Sequence, residues 1–200
     1  MGRVLRIAFL TMALTGSFGR ASEAAAVFNH LAVRIYDLAG VVDDEGGRVL
    51  ERAGDILQEA DVDVDWRDCS PRLFRPHAAC ASPPASGELI VRLVRAPGVG
   101  ASGTLGEALI DTTTGTGVLA TVFVDRIEVL ATIAKANVVS IVGRVIAHEI
   151  GHLLLGDTAH GDTGLMRQLW SLTEFEQNRD EDWVFSRADV DRLRRRQRQS

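Results

Sequence analysis

Residues 148–166 read HEIGHLLLGDTAHGDTGLM, and this stretch decides the fold and the chemistry expected of the chain. It closes an apolar run that begins at Val138 and is hydrophobic on nearly every face, which predicts a buried central helix. Gly156 is expected to end that helix as a C-terminal glycine cap. Because residues four apart share a helix face, His148 and His152 are expected one turn from each other.

Two imidazoles at this spacing are typical of a zinc site. Glu149 follows the first histidine on an adjoining helix face, so its carboxylate can reach a water molecule at the metal without binding the metal itself. Zinc lowers the pKa of such a water toward about 7. A nearby carboxylate can then take the proton as the water attacks a carbonyl group and pass it to the leaving amine. Since burying these groups unpaired in an apolar helix would be costly, the pattern predicts Zn2+ as cofactor and Glu149 as general base.

A catalytic zinc site of this kind has three protein ligands and leaves the fourth position to water. The stretch resembles the metzincin clan of zinc peptidases, which share the pattern HExxHxxGxxH followed by a turn that contains methionine. The resemblance implies three zinc ligands, which are His148, His152 and His160. It also implies that Glu149 is the base and that Met166 is the Met-turn residue, an apolar floor beneath the ligands.

The spacing differs from the clan pattern downstream of the second histidine. Gly156 comes one residue later and His160 two residues later than the pattern places them, and Thr158 occupies the usual position of the third ligand. No tyrosine follows Met166, so a tyrosine that stabilises the oxyanion is missing, and Arg167 is a candidate substitute. This longer form resembles a group of exported bacterial matrixin-like or metzincin-like proteins, with similarity from about residue 33 to the final helix.

Two other interpretations stay open. A gluzincin-like site would take its third ligand from a following helix, where Glu174 and Glu176 stand at a suitable separation, and Asp157 is a further candidate. A non-catalytic zinc-binding exported protein would have its fourth coordination position blocked. Glu149 argues against that class, because structural zinc does not need a base.

The rest of the chain predicts one α+β domain. Alternating or apolar runs predict strands over residues 33–36, 62–66, 89–94, 108–111 and 118–124. Helical periodicity predicts helices over residues 47–60, from 125, from 138 to 155, over about 171–178 and over 186–197. With the resemblance, the expected fold is a metzincin-like catalytic domain: a mixed twisted sheet packed on a buried active-site helix, with a Met-turn and a C-terminal helix.

Helix caps and an edge strand are predicted as well. Asp125 with Glu128 has the spacing of a capping box, and Asn137 can cap the central helix. Ser186 is expected to begin the final helix. By analogy with the clan, residues 118–124 are the candidate edge strand, with which a peptide or protein substrate would pair.

The N-terminus predicts export. Arg3 and Arg6 precede a short apolar stretch at residues 7–14, and small residues follow it. The stretch is too short to span a bilayer of about 30 Å. The expected organisation is a signal peptide over residues 1–26 and a single metallopeptidase domain over residues 27–200, secreted or periplasmic, without a stable membrane span once the leader is removed. An uncleaved N-terminal anchor is the alternative.

Composition limits the partners. In an exported protein, Cys69 and Cys80 are most simply a disulfide. The net charge of -5 points to no nucleic-acid partner, and the arginine-rich run at residues 192–198 is expected to be the solvated end of a helix. The oligomeric state cannot be read from the sequence.

Overall fold

The computed structural model describes residues 28–71, 77–96 and 103–198, without the side chains of residues 28–30 and 42–46. The predicted signal peptide therefore lies outside the described residues. Strands and helices follow one another as β1 (Phe28–Asp37), α1 (Val41–Gln58), β2 (Val62–Asp68), β3 (Leu89–Val94), β4 (Gly106–Asp111), β5 (Thr116–Phe123), α2 (Val124–Ala134), α3 (Val138–Leu155), α4 (Leu172–Gln177) and α5 (Arg187–Gln197). Each predicted strand and helix is present, with its ends shifted by up to several residues.

The five strands form one mixed sheet in the order β2-β1-β3-β5-β4. β1, β2, β3 and β5 run parallel, and β4 runs antiparallel to β5. The prediction that residues 118–124 form the edge strand is wrong, because β5 lies between β3 and β4. The tight hairpin that joins β4 to β5 places β4 on the outside, so β4 is the edge.

Helices α1 and α3 pack against each other and against the sheet. α1 packs on α3 and on β2, while α3 packs across β4 and β5. In β2 the apolar residues alternate with exposed aspartates, as the sequence pattern predicts. The core between these layers is fully buried at positions that include Val33, Ile35, Val91, Leu93, Ala120, Val122, Ile146 and Ile150.

The central helix α3 is buried along most of its length. Asn137 caps its start, where the side-chain oxygen accepts a hydrogen bond from the backbone N–H of Ser140 at 3.0 Å. Gly156 ends it in a left-handed conformation with φ of 66°, which glycine adopts without a steric penalty. The helix is apolar and long enough to cross a membrane, but 78% of it is buried inside the fold. It is thus the core helix of this domain.

One predicted cap is wrong and another is confirmed. α2 begins at Val124 without a side-chain cap, and Asp125 lies in its first turn instead of preceding it. The carboxylate of Asp125 accepts from the backbone of Ala96 at 3.3 Å, so a long-range contact takes the place of the capping box. At α5, by contrast, Ser186 and Asp189 form a complete capping box.

The disulfide between Cys69 and Cys80 is confirmed, with a Cα–Cα distance of 5.5 Å. It joins the end of β2 to a short 3-10 helix, Ala78–Ala81. Beyond that helix, Glu88 forms a buried ion pair with Arg34 at 2.8 Å. Hydrogen bonding to Arg34 lowers the pKa of Glu88 to about 2, so the pair fixes the segment before β3 to the sheet.

Candidate metal centre

Three histidines meet where α3 ends. His148 and His152 project from the last turns of α3, and His160 lies on the loop that follows. The Nε2 atoms of His148 and His152 are 3.0 Å apart, and those of His152 and His160 are 3.2 Å apart. Nitrogens bound to one tetrahedral zinc ion would lie about 3.3 Å apart. All three ligand atoms fall within 4.8 Å of one another, so the group can hold a metal ion.

Backbone carbonyls fix the two helical imidazole rings. His148 Nδ1 is 2.8 Å from the carbonyl oxygen of Leu165, and His152 Nδ1 is 3.0 Å from that of Asp157. Because a carbonyl oxygen only accepts, each Nδ1 carries the proton and donates it. Each Nε2 is therefore left with its lone pair, which is the form that a metal ion binds.

Burial keeps the helical histidines neutral. His148 and His152 are only 7% and 5% exposed. Burial, with a smaller contribution from His152, lowers the pKa of His148 to about 3, and burial also lowers the pKa of His152. The rings thus present unprotonated nitrogens to one another at hydrogen-bond distance, and a cation between them would remove the mutual repulsion of their lone pairs.

Met166 packs against α3 at Gly151, between the two helical histidines. It is 1% exposed, and a side-chain carbon added at Gly151 would lie 2.7 Å from its sulfur. The glycine between the two helical histidines therefore makes room for the methionine. The chain returns to this position because Gly161 N–H donates to the carbonyl oxygen of Met166 at 2.9 Å, and Leu165 N–H donates to that of Val184 at 2.8 Å.

Glu149 follows His148 on α3 and is not part of the histidine group. Its side chain is buried against β4, since a carbon added at Gly106 would lie 2.6 Å from Glu149 Oε1. Burial raises the pKa of Glu149 to about 8, with a smaller effect from the negative charge of Glu107. A carboxyl group with such a pKa can exchange a proton near neutral pH.

Two of the acidic alternatives are engaged elsewhere, and the third is exposed. The carboxylate of Asp157 accepts from the guanidinium of Arg192 and from the backbone N–H of Ala159. Glu174 pairs with Arg167 and completes the capping box of α4, and Glu176 is exposed on that helix. Within the described residues, none of these three acids joins the histidine group.

Arg167 does not fit the predicted role at the oxyanion. Besides its ion pair with Glu174, its Nε donates to the carbonyl oxygen of Gly164 at 3.0 Å. These contacts fix the guanidinium on the segment around Met166 instead of leaving it for a substrate.

The sequence pattern did not identify two residues of the site, Trp170 and Gly106. The ring of Trp170 meets the ring of His148 edge to face, with centroids 5.3 Å apart, and packs on Trp183 at the same distance. No local pattern predicts this contact, because it depends on how the chain after Met166 folds back. The sequence contains a weak signal for the contact at Gly106, because glycine at a strand end often marks a close approach of another group.

The described residues form a mixed-sheet domain in which three histidines could hold a metal ion. The described structure is similar to the crystal structure of archaemetzincin from Methanopyrus kandleri, with a TM-score of 0.56. The two sequences are 18% identical, and the match covers 84% of this chain and 96% of the other. At that identity the likeness concerns the fold, and it confirms the predicted fold class. The sequence itself matches no known protein family and no curated protein.

Proposed function

We propose that the protein is a zinc-dependent endopeptidase of the metzincin type. In this proposal His148, His152 and His160 bind Zn2+, Glu149 is the general base, and Met166 is the Met-turn residue. The observation that carries the proposal is that the Nε2 atoms of three histidines converge while a buried carboxyl group on the same helix stays outside their group. The likeness to archaemetzincin supports the same assignment through the fold.

The chemistry divides between the cofactor and the chain. When bound, zinc would polarise the substrate carbonyl and acidify a water molecule. Glu149 accepts the proton of the attacking water at its carboxylate and donates it to the leaving amine. The low exposure of Glu149 keeps bulk water away from this transfer. The carbonyl oxygens of Leu165 and Asp157 hold the helical imidazoles in the tautomer that binds metal.

The substrate is a peptide or protein strand. β4 is an edge of the sheet, and its first residue, Gly106, touches Glu149. An edge strand presents unpaired backbone N–H and C=O groups, with which an extended peptide can pair. Pairing of this kind would bring the scissile peptide bond of the substrate to Glu149. No nucleic acid takes part in the proposed reaction.

We also propose that the protein acts outside the cytoplasm. The Cys69–Cys80 disulfide supports an oxidising compartment, in agreement with the predicted leader at residues 1–26. The mature chain would then be the single domain expected over residues 27–200, secreted or periplasmic.

The test is cleavage of an unbiased peptide library by purified protein, with zinc content measured on the same sample. We expect one zinc per chain, internal cleavage of peptides, loss of cleavage with a chelator, and recovery when zinc is restored. Glu149→Gln is expected to keep its zinc and to lose at least about 1000-fold in kcat/KM, because proton transfer is lost. Glu176→Gln removes an exposed carboxylate from α4 and serves as the matched control, with unchanged activity expected.

Two outcomes would contradict the proposal. If Glu149→Gln lost zinc together with activity, Glu149 would be a ligand and not the base. If the wild-type protein bound zinc but cleaved no peptide, the non-catalytic zinc-binding alternative would be correct.

A further inference from the structure

The loop that carries His160 is not held in place by burial. Thr158, Ala159 and His160 are exposed, in contrast with the buried helical histidines. An exposed loop has many conformations available, and each ordered residue loses conformational entropy. A ligand delivered by such a loop binds tightly only when other contacts fix the loop beforehand.

Asp157 makes three contacts that fix the loop. Its backbone oxygen accepts from His152 Nδ1 at 3.0 Å, and its Oδ1 accepts from the backbone N–H of Ala159 at 3.1 Å. Its Oδ2 accepts from the guanidinium of Arg192. One residue thus orients the second histidine and shapes the turn that precedes His160, and its own position depends on an arginine from α5.

A second arginine of α5 lies against the start of the same loop. Arg196 Nη2 donates to the carbonyl oxygen of Gly115, at the tip of the β4–β5 hairpin, at 2.7 Å. Gly156 lies against this contact. A Cβ atom added to Gly156 would lie 2.2 Å from the carbonyl oxygen of Gly115 and 2.5 Å from Arg196 Nη2. Arg192 and Arg196 are one helical turn apart, so one face of α5 contacts both Gly156 and Asp157.

These contacts change the interpretation of the arginine-rich C-terminus. The sequence predicts a solvated helix end, and Arg194 fits that expectation because its partner, Asp61, is exposed beyond the end of α1. The side chain of Arg192 instead contacts Asp157, on the loop that carries His160, and that of Arg196 contacts Gly115 beside the start of this loop. Asp157, between His152 and His160, is the partner of Arg192.

We propose that Arg192 is a positioning residue for the third metal ligand. Through Asp157 it holds residues 157–160 in the conformation that brings His160 to His148 and His152. This inference rests on the proposed zinc site, and it assigns to Arg192 no contact with the metal or the substrate.

Competitive zinc titrations of metal-free protein test the role. We expect Arg192→Gln and Asp157→Asn each to weaken zinc binding by about 10–100-fold, the range for partners that orient ligands. The double variant should lose no more than the worse single variant, because both changes break the same contact between Arg192 and Asp157. Arg192→Lys should recover part of the affinity, since it restores the charge but not the guanidinium geometry.

Arg194→Gln is the matched control. It removes a guanidinium from the same helix and breaks a pair with 47% and 49% exposed side chains, against 34% and 36% for Arg192 and Asp157. We expect its zinc affinity to stay within twofold of wild type. Exposed pairs add little to global stability, so the melting temperatures of all metal-free variants should agree within a few degrees.

A further variant shows whether Arg192 acts through His160. When His160→Ala has already removed the third ligand, adding Arg192→Gln should change zinc affinity by less than about twofold. A zinc affinity of Arg192→Gln equal to that of Arg194→Gln would overturn the inference. Failure of the zinc proposal would look different, because His160→Ala would then bind zinc as wild type does.

Discussion

His148 and His152 lie on a buried helix, whereas His160 lies on an exposed loop. The helical half of the site, His148 with His152, is fixed by helix geometry and by two backbone carbonyls. The loop half, residues 157–160, is joined to α5 by the ion pair of Asp157 with Arg192. One half therefore follows from local spacing, and the other from contacts between residues far apart in sequence.

The largest expected effect is the loss of a ligand from either half. We expect His148→Ala and His160→Ala each to weaken zinc binding by more than about 100-fold, beyond the loss typical of residues that only orient ligands. The halves should differ in the metal-free protein. His148→Ala removes a buried ring and leaves the Leu165 carbonyl unpaired, which costs about 1–3 kcal/mol of unfolding free energy. His160→Ala changes an exposed residue and should stay within about 0.5 kcal/mol of wild type.

Zinc titration and urea unfolding with a chelator measure both quantities. Glu174→Ala and Glu176→Ala serve as controls for the gluzincin-like alternative and should keep zinc affinity within a few-fold of wild type. Normal affinity in His160→Ala, with a collapse in one of the glutamate variants, would remove the loop half from the site.

A smaller effect is expected at the contact between the helical half and the edge strand. Gly106→Ala would place a carbon against the carboxylate of Glu149, and the glycine has no positive φ that would strain alanine. We expect kcat to fall by about 10–100-fold while zinc affinity is unchanged, because small displacements of catalytic groups have large effects. Gly103→Ala is the control, since nothing lies within 4 Å of its added carbon. A kcat within twofold of wild type would mean that β4 does not confine Glu149.

Much of the helical half could be predicted from the sequence. Asn137 and Gly156 mark the ends of α3 through local hydrogen bonding and backbone conformation. The His148–His152 spacing places both rings on one face whatever the rest of the chain does. The disulfide could also be predicted, because Cys69 and Cys80 are close in sequence.

The remaining features depend on long-range packing. The sequence of β5 resembles that of any half-buried strand, so nothing in it tells whether β4 pairs outside it. The capping box expected at Asp125 does not form, because the carboxylate instead accepts from the backbone of Ala96, which lies 29 residues away. The contacts of Trp170 with His148 and of Arg192 with Asp157 likewise appear only when the chain after Met166 folds back toward α3.

The smallest expected effect is the pH dependence of the metal-free protein. The pKa of Glu149 is raised from 4.5 to about 8. The neutral carboxyl group therefore makes its full contribution to the unfolding free energy below pH 4.5, and this contribution is lost as the pH rises through 8. The pKa of His148 is lowered from 6.5 to about 3. Its contribution is present above pH 6.5 and is lost as the pH falls toward 3.

We therefore expect the unfolding free energy of the chelator-treated wild type to fall by about 1 kcal/mol or more between about pH 6.5 and pH 8.5. Glu149→Gln should remove most of this slope, and Glu176→Gln should not. Urea unfolding at several pH values measures it. Equal slopes in Glu149→Gln and wild type would show that Glu149 is not buried as described.

X-ray absorption at the zinc edge, on wild type and on His160→Ala, tests the three-histidine site most directly. We expect three imidazole nitrogens at about 2.0–2.1 Å in the wild type, with one further light atom from water. We expect two imidazoles in the variant, measured at protein and zinc concentrations at which it retains the metal. Two imidazoles and a carboxylate in the wild type, unchanged in His160→Ala, would contradict the three-histidine site.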